Sequence, residues 1–429
     1  MNEAVIGFAG MTHLGINSAA AAAARGFATV CFDPDEGVIA RLRAGDLPVI
    51  EPGLPQLLEQ SRERLTYSSS SLDLSRCDVV FISADVPTDD FGRSDLSGIR
   101  KLIVQVTAVL KPDAILVILC QVPPGFTRTL EREPHNLYYL VETLVFGQAV
   151  ERAQHPERFI VGCADPRQPL PPSLAAFLGA FGCPVLPMRY ESAELAKISI
   201  NCCLVASVTV ANTLAELSER IGADWSEIAP ALKLDRRIGR YSYLSPGLGL
   251  AGGNLERDLA TVLRLSEAAG SEAGLVHAFL RSSRHRRHWA LRTLHGEILA
   301  HKPDAVLAVL GLAYKENTHS TKNSPALALI AQLRPWRLRV YDPVVSAAGL
   351  AHPDCAGCAS ELDAAEGADA LAIMTPWPQF RALQATDLRA RLTGKVLIDP
   401  YRVLNGAAIA QAGMDYFTLG MPPLRGVRS

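Results

Sequence analysis

The chain has 429 residues, 48% of them hydrophobic, which is long for a single core and too apolar for a disordered chain. Its 42 Lys and Arg stand against 44 Asp and Glu, a formal net charge of −2, so no overall field favours nucleic acid or an anionic membrane surface. Nine scattered cysteines argue for reduced thiols over a disulfide framework, and the opening "MNEAVIGFAG" lacks the basic flank of a signal peptide.

The first elements alternate. "AVIGFA" reads as a buried strand, "GINSAAAAAARG" as a helix and "ATVCFD" as the next strand; "DVVFISA" and "AILVILCQVPPG" follow in the same rhythm. Short apolar strands separated by helices predict βαβ units around a parallel sheet covered on both faces. The longest apolar runs, such as "AILVIL" at 114–119, fall short of the roughly 20 residues of a membrane span, so a cytoplasmic protein is expected.

Between the first strand and helix lies "GMTHLG", Gly10 to Gly15, which fits G-x-G-x-x-G except that Thr12 takes the middle place. The glycines permit a tight turn, and the helix N-terminus beyond it, with Leu14, offers free N–H groups to a pyrophosphate. Thr12, where the ligand approaches closest, is expected either to shift that phosphate or to donate its hydroxyl to it. Asp33, twenty-three residues after Gly10, stands where an acid accepts from both ribose hydroxyls of NAD and repels the 2′-phosphate of NADP.

From Ser192 to Ile221 runs one uninterrupted helical stretch. After it comes "PGLGLAGGNLERD" (246–258), glycine-rich and then charged. A second βαβ series begins at "AVLAVLGLAY" (305–314) and continues through "LRVYDP", "ADALAIMT" and "KVLIDP", and the last residues, "PPLRGVRS", are expected to fray. The expected architecture is therefore α/β: two doubly wound parallel-sheet domains joined by a long central helix, divided as 1–190, 191–301 and 302–429.

Several stretches, "VIEPGLPQLL" (49–58), "SAELAKISIN" (192–201), "LDRRIG" (234–239), "PGLGLAGGNLERD", "LGLAYKENTHSTKNSPALALI" (310–330), "VYDP" and "TPWPQF", resemble the UDP-glucose/GDP-mannose dehydrogenase family in unbroken order from residue 1 to about 405. The resemblance implies an NAD-binding Rossmann domain, a central helix that carries a homodimer, and a Rossmann-like domain that holds a nucleotide sugar, most simply a UDP-sugar. Typical members oxidise the sugar's C6 alcohol to a carboxylate with two NAD, through a thioester on a cysteine in P-G-x-G-x-G-G-x-C-x-x-K-D.

Here Asn254 stands at that cysteine and Arg257 at the lysine. An amide has a delocalised lone pair and no proton that ionises near neutrality, so it cannot attack an aldehyde as a thiolate does. The family's P-E-F-L-R-E-G stretch reads "VETLVFG" (141–147): Glu142 remains, but Phe146 takes the place of the glutamate that assists thioester hydrolysis. Lys197, Asn201 and Asp258 match the lysine, asparagine and aspartate that hold the water and alkoxide during hydride transfer. Lys197 and Asn201 lie one helical turn apart and project the same way.

On the substrate side the resemblance implies that Gly249, Gly252 and Gly253 let the backbone press against the sugar, with Tyr243, Tyr314 and Lys315 near it. Arg237 resembles an arginine that reaches a sugar in the neighbouring subunit, and Arg402 is the guanidinium left in "DPYR", where relatives have D-G-R. Val86 and Gln121 replace threonines that commonly line the coenzyme side.

Two clusters are given no function. "HPDCAGC" offers His352, Cys355 and Cys358 but lacks the second ligand pair of a zinc ribbon, so no metal is expected. The run "RSSRHRRH" (281–288) reads as a solvated helix face. The expected function is an NAD-dependent oxidoreductase limited to one two-electron step on a nucleotide sugar. The alternatives are an epimerase that returns the hydride to the other face, a non-catalytic nucleotide-sugar binder, and four-electron oxidation through a hydrated aldehyde.

Overall fold

The computed structural model describes residues 4–49, 51–89 and 93–427. The chain forms two compact units, Met1–Ile200 and Asn201–Ser429. The first is built on eight strands: β1 (Val5–Ala9), β2 (Ala28–Phe32), β3 (Leu65–Ser68), β4 (Val79–Ile82), β5 (Ile115–Ile118), β6 (Leu137–Leu140), β7 (Phe159–Cys163) and β8 (Val185–Arg189). They lie side by side as β3-β2-β1-β4-β5-β6-β7-β8. Every pairing is parallel except β6 with β7, a reversal that the alternating pattern of strands and helices does not encode.

The central strands β1, β4 and β5 are buried along nearly their whole length because an apolar layer covers each face. On one face Phe8 stacks on Phe81 at 4.9 Å and Phe81 meets Phe177 at 5.1 Å. Burying each such ring contributes about 1.5–3 kcal/mol. Helix α1 (His13–Ala24) lies over this layer, and its alanines from Ala19 to Ala23 are all buried.

Helix α2 (Tyr190–Ile221) is 32 residues long and runs from the first unit into the second. Contrary to the reading of short apolar runs, it is long and apolar enough to cross a bilayer by length and composition. Its buried faces are not apolar throughout: Glu194, Lys197, Asn201 and Asn212 are all buried in protein. Glu194 accepts the backbone N–H groups of Gly125 and Thr127, the latter at 2.8 Å.

The second unit continues with α3 (Trp225–Leu234), α4 (Asn254–Ala269) and α5 (Gly274–Arg287). Its sheet follows: β9 (Val306–Leu310), β10 (Arg337–Tyr341), β11 (Cys355–Gly357), β12 (Ala370–Ile373), β13 (Val396–Ile398) and β14 (Asp415–Phe417), ordered β11-β10-β9-β12-β13-β14 and parallel throughout. Two apolar layers again cover its faces. The mixed α/β architecture with two doubly wound sheets is the expected one.

The C-terminal segment departs from expectation. Through Val427 it is tied down: Leu424 bridges Tyr416, the N–H of Gly426 donates to Asp415, and Arg425 pairs with Glu297 at 2.7 Å. Arg428 and Ser429 lie outside the described residues.

Candidate active site

The expected residues divide between the two units. In the first, the glycine turn leaves β1 at the point where the strand order reverses between β1 and β4, the usual ligand crevice of an open α/β sheet. Gly10 has φ +99°, and a Cβ there would lie 2.5–2.7 Å from Ala84. A Cβ on Gly15 would sit 1.9 Å from the carbonyl oxygen of Gly10, so only glycine lets α1 start this close to the strand.

No side chain caps α1, which leaves its first-turn N–H groups open for an anion. Asp33, half-buried at the end of β2, accepts the N–H of Met11 at 2.8 Å and that of Asp35 at 3.0 Å. It thereby ties the acid of the dinucleotide motif to the turn and keeps its carboxylate beside it. These residues fit NAD. Thr12 is a correction: its hydroxyl donates to the carbonyl of Ser83 at 3.1 Å, so its proton is spent within the protein and braces the turn. Val86 and Gln121, both half-buried, follow β4 and β5 at the same end of the sheet.

Beyond β6 comes the loop with Glu142. Its carboxylate accepts from Lys197 Nζ at 3.1 Å and from the N–H of Leu144. Lys197 is only 8% exposed, so it is not part of a solvated polar stripe. Phe146 stacks on the His13 ring at 4.0 Å, and His13 Nε2 lies 3.0 Å from Glu51. Glu51 also accepts the N–H groups of Gly147 and Ala149 at 3.0 and 2.8 Å, which pins the Glu142 loop to the start of α1. Sequence reasoning gave Glu51 and His13 no role. They lie 38 residues from each other, and their partners in the Glu142 loop lie more than 90 and 130 residues downstream, so no local spacing announces them.

In the second unit Asp258 is 1% exposed; it accepts from Asn201 Nδ2 and, at 3.3 Å, from Arg257 Nε. A buried carboxylate needs such partners to stay charged. Asn254 is the first residue of α4 and is exposed, with Gly253 as the preceding cap. Among the cysteines, Cys202 is the one whose environment includes Asp258. Burial, then the negative charge of Asp258, pushes its thiol up, the opposite of what a nucleophile needs.

At two positions the glycine segment is not bare backbone left open for a ligand. Gly252, at φ +76°, has the Tyr314 ring 3.2 Å from where its Cβ would be, and a Cβ on Gly249 would meet the Ser283 carbonyl at 2.5 Å. These two glycines make room for the protein itself. Gly253 is half-buried beside them. Lys315 Nζ lies 5.8 Å from the Tyr314 ring centre.

Arg402 is bound within the unit, to Asp224 and Ser226 at 2.7 Å each. It shares a cleft of about 250 Å³ with Trp225, Leu244, Ser245, Pro246 and Tyr401. Arg237 is exposed and pairs with Asp235 at 2.7 Å; Tyr243 is exposed nearby in sequence.

The two clusters set aside differ in outcome. His352 has both ring nitrogens engaged, Nε2 with the Leu333 carbonyl and Nδ1 with the N–H of Asp354. The basic run is a solvated face only in part: Arg281, Arg284 and His285 are exposed, but Arg286 is 1% exposed and pairs with Glu219 at 2.6 Å, and Arg287 pairs with Glu256 at 2.8 Å.

The UDP-glucose/GDP-mannose dehydrogenase family matches in three parts: its NAD binding domain over residues 4–172, its central domain over 191–284 and its UDP binding domain over 308–406. The chain is 27% identical to UDP-glucose 6-dehydrogenase TuaD of Bacillus subtilis, covering 97% of this chain and 93% of that protein. It is 29% identical to a UDP-glucose 6-dehydrogenase of Pseudomonas aeruginosa, with 96% of each covered. A UDP-glucose dehydrogenase structure from Pyrobaculum islandicum superposes with a TM-score of 0.83 at 26% identity, over 94% of this chain and 98% of that one. The chain belongs to the UDP-glucose/GDP-mannose dehydrogenase family, as an NAD-dependent oxidoreductase acting on the alcohol group of a nucleotide sugar.

Proposed function

We propose that this enzyme carries a UDP-sugar through a single two-electron step between alcohol and carbonyl, without the thioester stage. The observation that carries the reading is Asn254 at the start of α4, where the resemblance places a cysteine, while the Lys197–Glu142 and Asn201–Asp258 pairs are intact. NAD, when bound, accepts the hydride. Lys197, held by Glu142, serves as donor to the developing oxyanion, and Asp258, oriented by Asn201, takes the alcohol proton directly or through a water. Asn254 donates to a sugar hydroxyl or carbonyl without covalent attachment. A pure binder has no need of a buried ion pair and a buried amide–carboxylate pair of this kind, each of which costs desolvation.

In the second unit, the cleft beside Trp225 and Tyr401 supports a seat for the nucleotide base, since aromatic walls suit a flat ring. Tyr314, Lys315 and Gly253 serve the sugar. Val210, Leu214, Leu217 and Ile221 are all exposed on α2 at spacings of four, three and four. One such apolar stripe on a helix supports a homodimer through residues 191–301, with Arg237 serving the partner's sugar site. The same helix's buried Glu194, Lys197, Asn201 and Asn212 favour a cytoplasmic protein over a membrane-spanning one.

The test incubates the protein with NAD and a panel of UDP-, GDP- and TDP-sugars, counts NADH and identifies products by mass and NMR. One NADH per sugar with a carbonyl product is expected. Two NADH with a uronate would overturn the single step, and no NADH with an inverted stereocentre would select an epimerase. Asn254→Cys is the complementary variant: with Phe146 where relatives keep a hydrolytic acid, it is expected to retain an acyl adduct visible by intact mass.

A further inference from the structure

We infer that Glu256 is a positioning residue for nucleotide-sugar recognition: its carboxylate locks the glycine segment 246–254 to the 314–324 loop, so that the two stretches form one preformed cradle. The inference rests on the reading that these stretches meet the sugar.

The glycine segment is held from both sides. On one side is α5. Ser283 Oγ accepts the N–H of Leu250 at 2.8 Å, and Arg287 Nη2 donates to the Leu250 carbonyl at 2.7 Å. On the other side is the loop that carries Lys315. The N–H of Gly252 donates to the Lys322 carbonyl at 3.0 Å, and the Gly252 carbonyl accepts Asn323 Nδ2 at 2.8 Å. The Tyr314 ring fills the space a side chain on Gly252 would need.

Glu256 joins the two sides. It accepts from Arg287 Nη2 at 2.8 Å and from Asn323 Nδ2. Asn323 adopts φ +53°, a left-handed conformation in which Asn is enriched over other side-chain-bearing residues. Its amide is held there by Gly252 and Glu256. Glu256 also lies in the first turn of α4, where the helix dipole favours its charge. The arrangement accounts for a charged residue two positions beyond Asn254: it fixes where α4 begins and hence where Asn254 points from.

The chemistry is sensitive to one atom. A carboxylate accepts from both the guanidinium and the amide. A glutamine has one acceptor oxygen, and its NH₂ would face a donor on one side or the other. Glu256→Gln therefore keeps the shape and breaks one tie.

The experiment uses the full chain and UDP-glucose as probe, with Glu256→Gln, Glu256→Ala and the exposed Glu267→Gln as a charge control on the same helix. For Glu256→Gln the Kd and KM for UDP-glucose are expected to rise about tenfold, with NAD affinity unchanged and kcat within threefold of wild type. Glu267→Gln should change neither ligand's affinity. In the ligand-free proteins, amide exchange should speed up about tenfold in peptides covering 246–258 and 312–325, and not across β1 to β5.

Unchanged UDP-glucose binding with unchanged exchange would overturn the clamp. So would a parallel loss of NAD affinity or faster exchange everywhere, which marks general destabilisation, or the same loss in Glu267→Gln. If wild type binds no nucleotide sugar, the proposed function falls, while the exchange comparison still decides whether Glu256 joins the two stretches.

Discussion

The two units start alike and diverge within a few residues. Each has a strand ending in a left-handed glycine, Gly10 after β1 and Gly311 after β9, and each has an acid at the end of the next strand, Asp33 and Asp342. Both acids hold the N–H of the residue after the glycine, Met11 at 2.8 Å and Leu312 at 2.6 Å. In the first unit the turn then passes at once into α1, whose N-terminus is uncapped, and Asp33 accepts only one further N–H. In the second the chain wanders from 311 to 324 before a helix begins at Pro325, and Asp342 also accepts three more backbone N–H groups and the Trp377 indole. The same signature leaves an acid beside an adjoining helix N-terminus in the first unit, and in the second, where the helix starts only at Pro325, spends the acid as a structural anchor.

The largest effect expected from that contrast is at Gly15. Gly15→Ala places a methyl on the Gly10 carbonyl and should weaken NAD binding at least 100-fold, about 2.7 kcal/mol, measured by calorimetry. Gly311→Ala would meet Thr375 at 2.5 Å and is expected to lower thermal stability while leaving NAD affinity within threefold. Equal damage to NAD binding from both would erase the distinction between the units.

Next in size are the acids. Asp33→Ala removes the proposed acceptor for the ribose hydroxyls; a hydrogen bond to a charged acceptor contributes about 1.5 kcal/mol at the low end, so NAD affinity should fall about tenfold. Asp342→Asn should leave NAD affinity unchanged and shift the urea midpoint downward. If Asp342→Asn also cost NAD affinity, the view of the second acid as fully occupied would be wrong.

How much of this was legible beforehand follows from where the partners lie. The coenzyme turn was readable because glycines, helix start and acid sit within 24 residues and their spacing is itself the geometry. Thr12 was misread because its acceptor, Ser83, comes from 71 residues away. The glycine segment was read as room for a ligand because its true fillers, Ser283 and Tyr314, are 34 and 62 residues downstream of Gly249 and Gly252. The basic run, solvated at Arg281, Arg284 and His285, looked solvated throughout because local spacing cannot show that Glu219, 67 residues upstream, pairs with Arg286. The antiparallel β7 has no local signal at all. Chemistry confined to one turn could be read from the chain; chemistry completed by a distant segment could not.

The smallest expected effect concerns pH, and it sharpens the contrast within the second unit itself. Burial opposes ionisation of Asp342, but the N–H groups of Leu312, Val345, Val344 and Ala313 outweigh it and hold the carboxyl below its ordinary range. A depressed folded-state pKa means the group stabilises the fold fully above the unfolded value of about 3.9 and loses that contribution as pH falls through the folded value. Asp399 runs the other way: burial wins over its bonds to Leu404, Val403 and Tyr416, so its pKa is raised and its cost is relieved on acidification. Wild type alone would mix the two slopes. The difference between wild type and Asp342→Asn isolates one of them, because Asp399 is common to both. That difference in urea midpoint should be constant from pH 7 to about 5 and shrink as the pH drops from 4 toward 3. A gap that widened on acidification would mean that desolvation, not the backbone amides, governs Asp342, and would put it in the class of Asp399.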